Sequence, residues 1–326
     1  MEEILRIENL KKKFPKNRDF FGRSKGWVFA LNGVNLTINK GDSMGLVGES
    51  GCGKSTVGRC ILKLIEPTEG NIFFNGQKIT AIKNSEFKTI RPNLQIVFQN
   101  PYSSLNPRMK IKDILEEPLK INTKSNKKER RGKILEVLEM VGLGEDILDN
   151  FPHEFSGGQR QRIVIAKALI LNPEFIVADE PISALDISIQ AQIINLLKEL
   201  KEKFNLTYLF ISHDLGTVKH FCNKVAVMYL GEIIEFAQTN ELFDNPLHPY
   251  SKLLLGSRPL IGVNKIDREN IIDTEPPSNE NLPGGCKFAS RCAYKMDICT
   301  QKEPPDIQIS PSHSVKCFLY NEQKEQ

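Results

Sequence analysis

The sequence predicts an α/β fold in which helices cover both faces of a parallel or mixed β-sheet. Two observations lead to this prediction. Short apolar runs rich in β-branched residues alternate with longer segments of helical periodicity between residues 43 and 228. One of these runs leads into a glycine-rich loop that opens a helix, an order typical of open α/β sheets. We expect one large domain over residues 1–255 and a separate small region over residues 256–326.

Each strand is predicted from an apolar or β-branched run bounded by turn residues. In chain order these runs are residues 4–10, 28–38, 43–47, 71–74, 94–98, 175–178, 207–211 and 224–228. Helices are predicted where apolar residues recur every three or four positions, at residues 57–64, 111–142, 158–171 and 187–204. The helical block at about residues 100–160 is expected to form a subdomain. Residues 256–283, rich in Pro, Asn and acidic residues, are expected to form a linker.

The composition is that of a globular chain with a core of ordinary size: 40% of the 326 residues are hydrophobic and 26% are charged. The net charge of +4 is too small to indicate a nucleic-acid binder. No apolar run approaches the roughly 18 residues that a membrane span needs, and the first ten residues lack an apolar signal core. We expect a cytoplasmic protein that meets a membrane only through a partner or a surface.

The glycine-rich loop from Gly48 to Thr56, hereafter the phosphate loop, has the pattern G-x-x-x-x-G-K-S. Its glycines let backbone N–H groups approach phosphate oxygens, and the following helix N-terminus favours an anion. Lys54 can reach the β- and γ-phosphates, and Ser55 can ligate magnesium. A glycine-rich turn that matches by chance is the alternative, which the flanking strand and helix disfavour. The other loop residues predicted to bind nucleotide are Ser50, Gly51, Cys52, Gly53 and Thr56.

Two carboxylates, Asp179 and Glu180, end the apolar run at residues 175–178. Ligands of open α/β sheets bind at the carboxyl edge of the strands. We therefore expect Asp179 to hold magnesium and Glu180 to polarise the attacking water. The alternative is that both are acidic turn residues without a catalytic role. The phosphate loop upstream disfavours this alternative.

A second loop of small residues distinguishes this chain from other proteins that have a phosphate loop. Ser156, Gly157, Gly158 and Gln159 precede a helix and resemble the signature motif of the ATP-binding cassette (ABC) family, which closes on the ATP held by a partner subunit. Other family motifs follow in order over about residues 1–255. Phe14 resembles the adenine-stacking aromatic and Gln99 the Q-loop glutamine. Asp186 resembles the D-loop aspartate and His213 the switch histidine.

This resemblance implies a P-loop NTPase of the ABC cassette fold, with a RecA-like core, an antiparallel β subdomain and a helical subdomain. It also implies an ATPase in which magnesium lies between Ser55, Gln99 and Asp179, with Glu180 and His213 as the catalytic residues. Soluble cassettes acting on ribosomes or DNA usually carry two cassettes or a long coiled-coil insert, and neither is present. Intact Glu180 and His213 argue against a regulatory cassette that does not hydrolyse ATP.

Three segments resemble the oligopeptide and dipeptide importers: Gln99–Arg108, His248–Tyr250, and an insertion at Asn17–Trp27 like that of the second ATPase subunit. The insertion is either a contact for lipid or permease or a solvent-exposed loop. The resemblance implies a peripheral protein at the cytoplasmic face of the cell membrane. Its implied partners are a sister ABC ATPase, two transmembrane permeases and an extracellular solute-binding protein, with no nucleic acid. The alternative is the ATPase of a nickel or other small-ligand importer of the same family.

Four of the seven cysteines lie close together near the end of the sequence: Cys286, Cys292, Cys299 and Cys317. Such a group in a cytoplasmic chain indicates a metal, either zinc or a four-iron cluster, and unligated thiols are the third alternative. The importers that this chain resembles carry a four-cysteine iron–sulfur site in this region, so the resemblance implies a 4Fe–4S cluster. We expect a structural role, because so small a region has little core of its own.

Overall fold

A computed structural model of the chain describes residues 2–16, 26–256, 277–280 and 282–324. Its strands are β1 (Glu3–Pro15), β2 (Trp27–Asn39), β3 (Ser43–Val47), β4 (Glu69–Phe74), β5 (Gln77–Lys78), β6 (Leu94–Val97), β7 (Phe175–Asp179), β8 (Thr207–Ile211), β9 (Lys224–Tyr229), β10 (Glu232–Gln238), β11 (Asp306–Ser310) and β12 (His313–Lys316). Its α-helices are α1 (Lys54–Ile61), α2 (Asn84–Ile90), α3 (Pro101–Ser104), α4 (Ile111–Asn122), α5 (Lys127–Met140), α6 (Gly157–Leu169), α7 (Ile187–Phe204), α8 (Leu215–Phe221), α9 (Thr239–Asp244), α10 (Pro249–Gly256) and α11 (Ile298–Gln301). Most of the predicted insertion at residues 17–27 and of the predicted linker at residues 256–283 lies outside the described residues.

The chain divides into two compact units. The first unit comprises Asn39–Asp42 and Ala81–Ile211. The second unit comprises Glu2–Ile38, Ser43–Thr80 and Ser212–Gln326, within the described residues. Among the helices that the structure describes, none combines the length and the apolar character needed to cross a membrane.

The first unit contains a parallel ladder of β6, β7 and β8, together with the helices α2 to α7. Every residue of β7 and β8 is buried. A parallel strand covered on both faces requires an almost continuous apolar sequence, which explains why these strands were readable from the chain. The pairing of β7 with β8 ends at Asp179 and Ile211, so the two carboxylates predicted from the sequence lie at the carboxyl edge of the ladder.

The helical block differs from its prediction at one place. Residues 111–142 were expected to be mostly helical, and they form α4 and α5 with a break between them. The break arises because Asn126 caps α5: its side chain accepts hydrogen bonds from the N–H groups of Lys128 and Glu129. The Glu129 carboxylate in turn accepts from the Asn126 N–H at 2.8 Å, completing a capping box.

The second unit contains two sheets. In one, β4 runs antiparallel to both β1 and β5, and the strand order is β2-β1-β4-β5. In the other, β3 pairs in parallel with β9, and β10, β12 and β11 extend the ladder in antiparallel pairs. The sequence predicted no strand after residue 228, so β10, β11 and β12 were missed. Glu232 and Glu235 interrupt the apolar pattern of β10 although both are buried, which hid the strand.

Candidate functional site

The phosphate loop follows β3, whose five residues are all buried, and leads into α1. Its backbone requires glycine at two positions. Gly48 has φ +151°, and a Cβ there would lie 2.1 Å from the carbonyl oxygen of Met228. Gly53 has φ +109°, and its Cβ would lie 2.3 Å from the carbonyl oxygen of Ala30. The loop is therefore packed directly against the backbone of β2 and β9, which fixes its course.

Lys54 is buried, with 6% of its surface exposed, and it begins α1. Its Nζ donates to the carbonyl oxygens of Gly48 and Glu49 at 2.8 and 2.9 Å, so the ammonium lies inside the curve of the loop. A buried cation enclosed by a glycine-rich backbone at a helix N-terminus fits a phosphate group. Ser55 and Thr56 follow in the first turn of α1 and are half-buried.

Cys52 contributes to the phosphate loop through its backbone. Its carbonyl oxygen accepts from the Gly231 N–H at 2.9 Å. Burial raises the pKa of the Cys52 thiol, with Lys54 acting in the opposite direction. The thiol is therefore protonated at neutral pH and is not a nucleophile.

In the first unit, Gln99 and Glu180 lie together. The Gln99 side-chain amide donates to a Glu180 carboxylate oxygen at 2.7 Å. Glu180 adopts a left-handed backbone conformation with φ +49°, and its N–H donates to the Ile211 carbonyl oxygen at 2.9 Å. Non-glycine residues in this region of φ/ψ space are uncommon and concentrate at functional sites. Asp179 precedes it at the end of β7 and is only 6% exposed.

The signature residues form the start of α6, also in the first unit. Ser156 caps the helix by accepting from the Gln159 N–H at 3.3 Å, and the Gln159 side chain accepts from the Ser156 N–H at 3.1 Å. The serine and glutamine therefore form a capping box, a local role that the sequence analysis did not assign to them. A Cβ at Gly158 would lie 2.7 Å from Ile189 Cγ2, so this glycine permits close packing against α7. Gly157 and Gly158 are half-buried.

Ser183 and Asp186 follow Glu180 in the same unit. The Ser183 hydroxyl donates to the Glu180 carbonyl oxygen at 3.1 Å. Asp186 occupies the N-cap position of α7 and is exposed, and its side chain makes no capping hydrogen bond. Its carboxylate is available at the surface at the same helix end that packs on Gly158.

His213 and Phe14 belong to the second unit. His213 is exposed and follows Ser212, whose N–H donates to the Leu46 carbonyl oxygen of β3 at 3.3 Å. That contact holds the histidine segment beside the strand that precedes the phosphate loop. Phe14 is half-buried in β1, and the Lys12 ammonium lies 5.0 Å from its ring centroid.

The four C-terminal cysteines do not form a metal site, so the predicted iron–sulfur cluster is wrong, as is its zinc alternative. Within the described ranges, no group of three or more His, Cys, Asp or Glu side chains could hold a metal ion. Burial raises the pKa of Cys286 to about 11 and that of Cys317 to about 12. Without a metal, both thiols are therefore protonated at neutral pH.

The C-terminal region has a source of stability that is not visible in the sequence. β12 pairs with β10, and Phe288 is 2% exposed. The Phe288 ring lies 5.4 Å from the Tyr229 ring and 5.6 Å from the Tyr250 ring. The region therefore shares the core of the second unit, so the premise that it needs a metal to fold does not hold.

One charged pair at the phosphate loop was also missed. The Glu49 carboxylate pairs with the guanidinium of Arg291, with N–O distances of 2.9 and 3.0 Å. The two residues are 242 positions apart, and no motif in the sequence links them. No local pattern in the sequence could have revealed this contact.

Two family models match the chain. The first, described as ABC transporter, matches residues 31–183. The second, described as the C-terminal region of oligopeptide/dipeptide transporters, matches residues 234–299. Among curated relatives, the Bacillus subtilis oligopeptide transport ATP-binding protein AppF is 50% identical over 323 residues, which is 98% of each chain. The Escherichia coli dipeptide transport ATP-binding protein DppF is 42% identical and covers 98% of this chain and 96% of the relative.

Solved structures of cassettes resemble the fold. The cassette MJ0796, in a dimeric post-hydrolysis state bound to ADP and phosphate, has a TM-score of 0.65 and 31% sequence identity. The match covers 72% of this chain and 99% of that one. The cassette MJ1267 in its ADP conformation has a TM-score of 0.63 and 28% identity, and it covers 76% of this chain and 96% of that one.

Proposed function

The chain belongs to the family of ABC transporter ATP-binding subunits, and we propose that it hydrolyses ATP to drive import of di- or oligopeptides across the cytoplasmic membrane. The predicted cassette fold and ATPase activity are confirmed. The observation that carries the peptide class is the match of residues 234–299 to the C-terminal region of oligopeptide/dipeptide transporters. The cassette alone cannot indicate a substrate, because one fold serves many functions.

The residues of the second unit supply groups for the base and the phosphates. We assign Phe14 to the adenine, and Lys54 with the phosphate-loop backbone to the β- and γ-phosphates. Support comes from the buried ammonium inside the glycine-rich curve of the loop. Ser55, in the first turn of α1, is assigned to magnesium, and the exposed His213 to the γ-phosphate.

The residues of the first unit supply groups for magnesium and water. Asp179 and Gln99 are assigned to magnesium, and Glu180 to the orientation of the attacking water. The hydrogen bond from Gln99 to Glu180 supports this assignment, because it holds the carboxylate in one orientation. Magnesium, when bound, neutralises charge on the β- and γ-phosphates.

The signature helix supplies a surface for a second cassette. Ser156, Gln159 and Asp186 are exposed in the first unit, so they are accessible to a partner. We propose that the chain pairs with a sister ATPase and that the pair acts on two transmembrane permeases. We also propose that an extracellular solute-binding protein delivers the peptide, and that the chain is peripheral to the cytoplasmic face of the membrane.

The hydrolysis proposal is tested by Glu180→Gln. We expect the variant to bind ATP normally and to lose at least about 100-fold in turnover, because the water is no longer polarised by a carboxylate. Phosphate release is measured on the transporter purified from membranes. Glu199→Gln, an exposed carboxylate on α7, is the matched control and should turn over like the wild type. Wild-type turnover in the Glu180→Gln variant would contradict the assignment.

The transport proposal is tested by purifying the tagged Glu180→Gln chain from membranes with ATP and identifying its partners by mass spectrometry. We expect a sister ATPase and two multispanning permeases. The associated solute-binding protein is then screened against di-, tri- and oligopeptides and against nickel chelates. Recovery of ribosomal or DNA-bound partners alone would refute the transport role, and exclusive binding of a chelate would refute the peptide class.

A further inference from the structure

The C-terminal segment, defined here as residues 277–280 and 282–324, contacts the phosphate loop through a charged pair. Arg291 donates from both terminal guanidinium nitrogens to the two carboxylate oxygens of Glu49, at 2.9 and 3.0 Å. The Arg291 side chain is 3% exposed, whereas that of Glu49 is 30% exposed. A bidentate salt bridge fixes both the position and the orientation of the carboxylate, which a single hydrogen bond would not do.

A second contact from the same segment lies two residues further along the loop. The Asn279 side-chain amide donates to the Gly51 carbonyl oxygen at 3.1 Å. The Asn279 backbone carbonyl accepts from the Phe29 N–H of β2 at 2.9 Å, so the asparagine is itself anchored. The C-terminal segment therefore holds the loop at both Glu49 and Gly51.

The guanidinium of Arg291 is held by an aromatic platform. It lies 5.8 Å from the centre of the Tyr229 ring and 5.6 Å from that of Phe288. Tyr250 packs against Tyr229 with ring centroids 4.6 Å apart. The Tyr250 hydroxyl also accepts from the Glu49 N–H at 2.8 Å. Packed rings cannot move far, so the arginine and the loop residue that it binds share a rigid support.

The negative charge of Glu49 gives its pairing with Arg291 an effect on ATP binding. Glu49 lies within the loop whose carbonyl oxygens accept from Lys54, so an unpaired carboxylate there would repel a triphosphate. Arg291 neutralises that carboxylate and holds it outward, against the C-terminal segment. Pre-organising the loop in this way lowers the cost of ordering it when the nucleotide binds.

We propose that the C-terminal segment positions the phosphate loop for ATP, with Arg291 and Asn279 as positioning residues. This inference rests on the proposed function only in placing ATP at the loop. The C-terminal region thereby takes part in nucleotide binding as well as in the core of the second unit. Neither Arg291 nor Asn279 belongs to the motifs that bind nucleotide in the cassette.

The test uses the full-length chain and measures the dissociation constant of a fluorescent ATP analogue with magnesium. Arg291→Gln is expected to raise it about tenfold, because the carboxylate of Glu49 is left unneutralised beside the phosphates. Arg291→Lys should give an intermediate dissociation constant, since lysine keeps the charge and loses the bidentate geometry. In the assembled transporter the Arg291→Gln change should appear in KM, with kcat within about twofold of the wild type.

The double variant Glu49→Gln/Arg291→Gln tests whether the two residues act through each other. Its dissociation constant should match that of Glu49→Gln alone to within about twofold, because Arg291 has no carboxylate left to neutralise. A double variant whose loss equals the product of the two single losses would overturn the inference.

Lys287→Gln is the matched control within the same segment. Lys287 is 8% exposed and pairs with Glu303 at 3.0 Å, so its loss disturbs the segment without touching the loop. We expect its dissociation constant to stay within about twofold of the wild type. An equal loss in Lys287→Gln and Arg291→Gln would show a general destabilisation and overturn the inference.

Two further variants distinguish failure of the proposed ATP site from failure of the inference about the C-terminal segment. If Arg291→Gln does not fold, Asn279→Ala removes only the contact to Gly51 and should still raise the dissociation constant about threefold; an unchanged value would overturn the inference. Lys54→Ala must abolish binding if ATP occupies the phosphate loop at all. Unchanged binding in Lys54→Ala would refute the proposed site, whereas loss in Lys54→Ala with no effect of Arg291→Gln would refute the inference alone.

Discussion

At the scale of single residues, Gly53 shows why the phosphate loop depends on backbone shape. Its φ of +109° is strained for any other residue, and a Cβ would lie 2.3 Å from the Ala30 carbonyl oxygen and 2.9 Å from Met228 Cε. We expect Gly53→Ala to lower the free energy of unfolding by about 2 kcal/mol or more. We also expect ATP binding to weaken at least about tenfold, because the N–H groups of the loop shift.

Gly132 provides the control for this prediction. It lies in α5, and a Cβ there would meet nothing within 4 Å. Gly132→Ala should therefore raise the free energy of unfolding by up to about 1 kcal/mol and leave ATP binding unchanged. Urea denaturation and nucleotide titration measure both variants. Equal ATP affinity in Gly53→Ala and the wild type would show that the loop tolerates a side chain.

At the scale of elements, a buried carboxylate joins β10, β12 and the start of α10. Glu235 accepts hydrogen bonds from the N–H groups of Leu247 and His248, both at 2.8 Å, and lies 2.8 Å from His313 Nε2. His248 is itself 1% exposed, and its Nδ1 accepts from the Tyr250 N–H at 3.0 Å. Burial lowers the pKa of His248 to about 4, with Glu235 acting in the opposite direction.

The lowered pKa of His248 predicts a loss of stability in acid. Between about pH 6.5 and about pH 4 the unfolded chain binds a proton at this residue and the folded chain does not. The free energy of unfolding should therefore fall as the pH falls through this window, by about 1.4 kcal/mol per pH unit from this group.

The contribution of His248 is isolated by comparing variants in urea denaturation from pH 7 to pH 4.5. His248→Asn keeps an acceptor for the Tyr250 N–H and cannot titrate, so its stability should fall less steeply than that of the wild type. His220→Asn removes an exposed histidine and should follow the wild-type curve. Parallel curves for His248→Asn and the wild type would refute the assignment.

At the scale of the whole molecule, the C-terminal segment is an integral part of the second compact unit. Phe288 packs among Tyr229, His248 and Tyr250 and is 2% exposed. Phe288→Ala should lower the free energy of unfolding by about 3–5 kcal/mol, since it opens a cavity in that core. The division of the chain at residue 256 stays a prediction.

Leu319→Ala is the control for the core contribution of the C-terminal segment. Leu319 lies in the same segment and is 40% exposed, so its loss should cost less than about 1 kcal/mol. Thermal and urea denaturation of both variants measure the difference. Similar midpoints for Phe288→Ala and the wild type would mean that the segment adds little to the core.

Much of the fold could be predicted because local patterns carry it. β7 and β8 are continuous apolar runs, as buried parallel strands must be, and both were found. The break before α5 was missed, although Asn126 and Glu129 have the spacing of a capping box. β10 was not readable, because a buried Glu235 satisfied by distant partners looks like a surface residue in the sequence.

The chemistry that we propose for this protein can be predicted from its sequence alone. The phosphate loop, the Asp179–Glu180 pair and the signature residues are contiguous motifs, and their residue types and spacing predict their roles. The pairing of Arg291 with Glu49 and the partial burial of Cys286 can be seen only in the folded structure. The physical reason is that a motif depends on covalent spacing, which the chain states directly. Long-range pairing, burial and protonation depend on which surfaces the folded chain brings together.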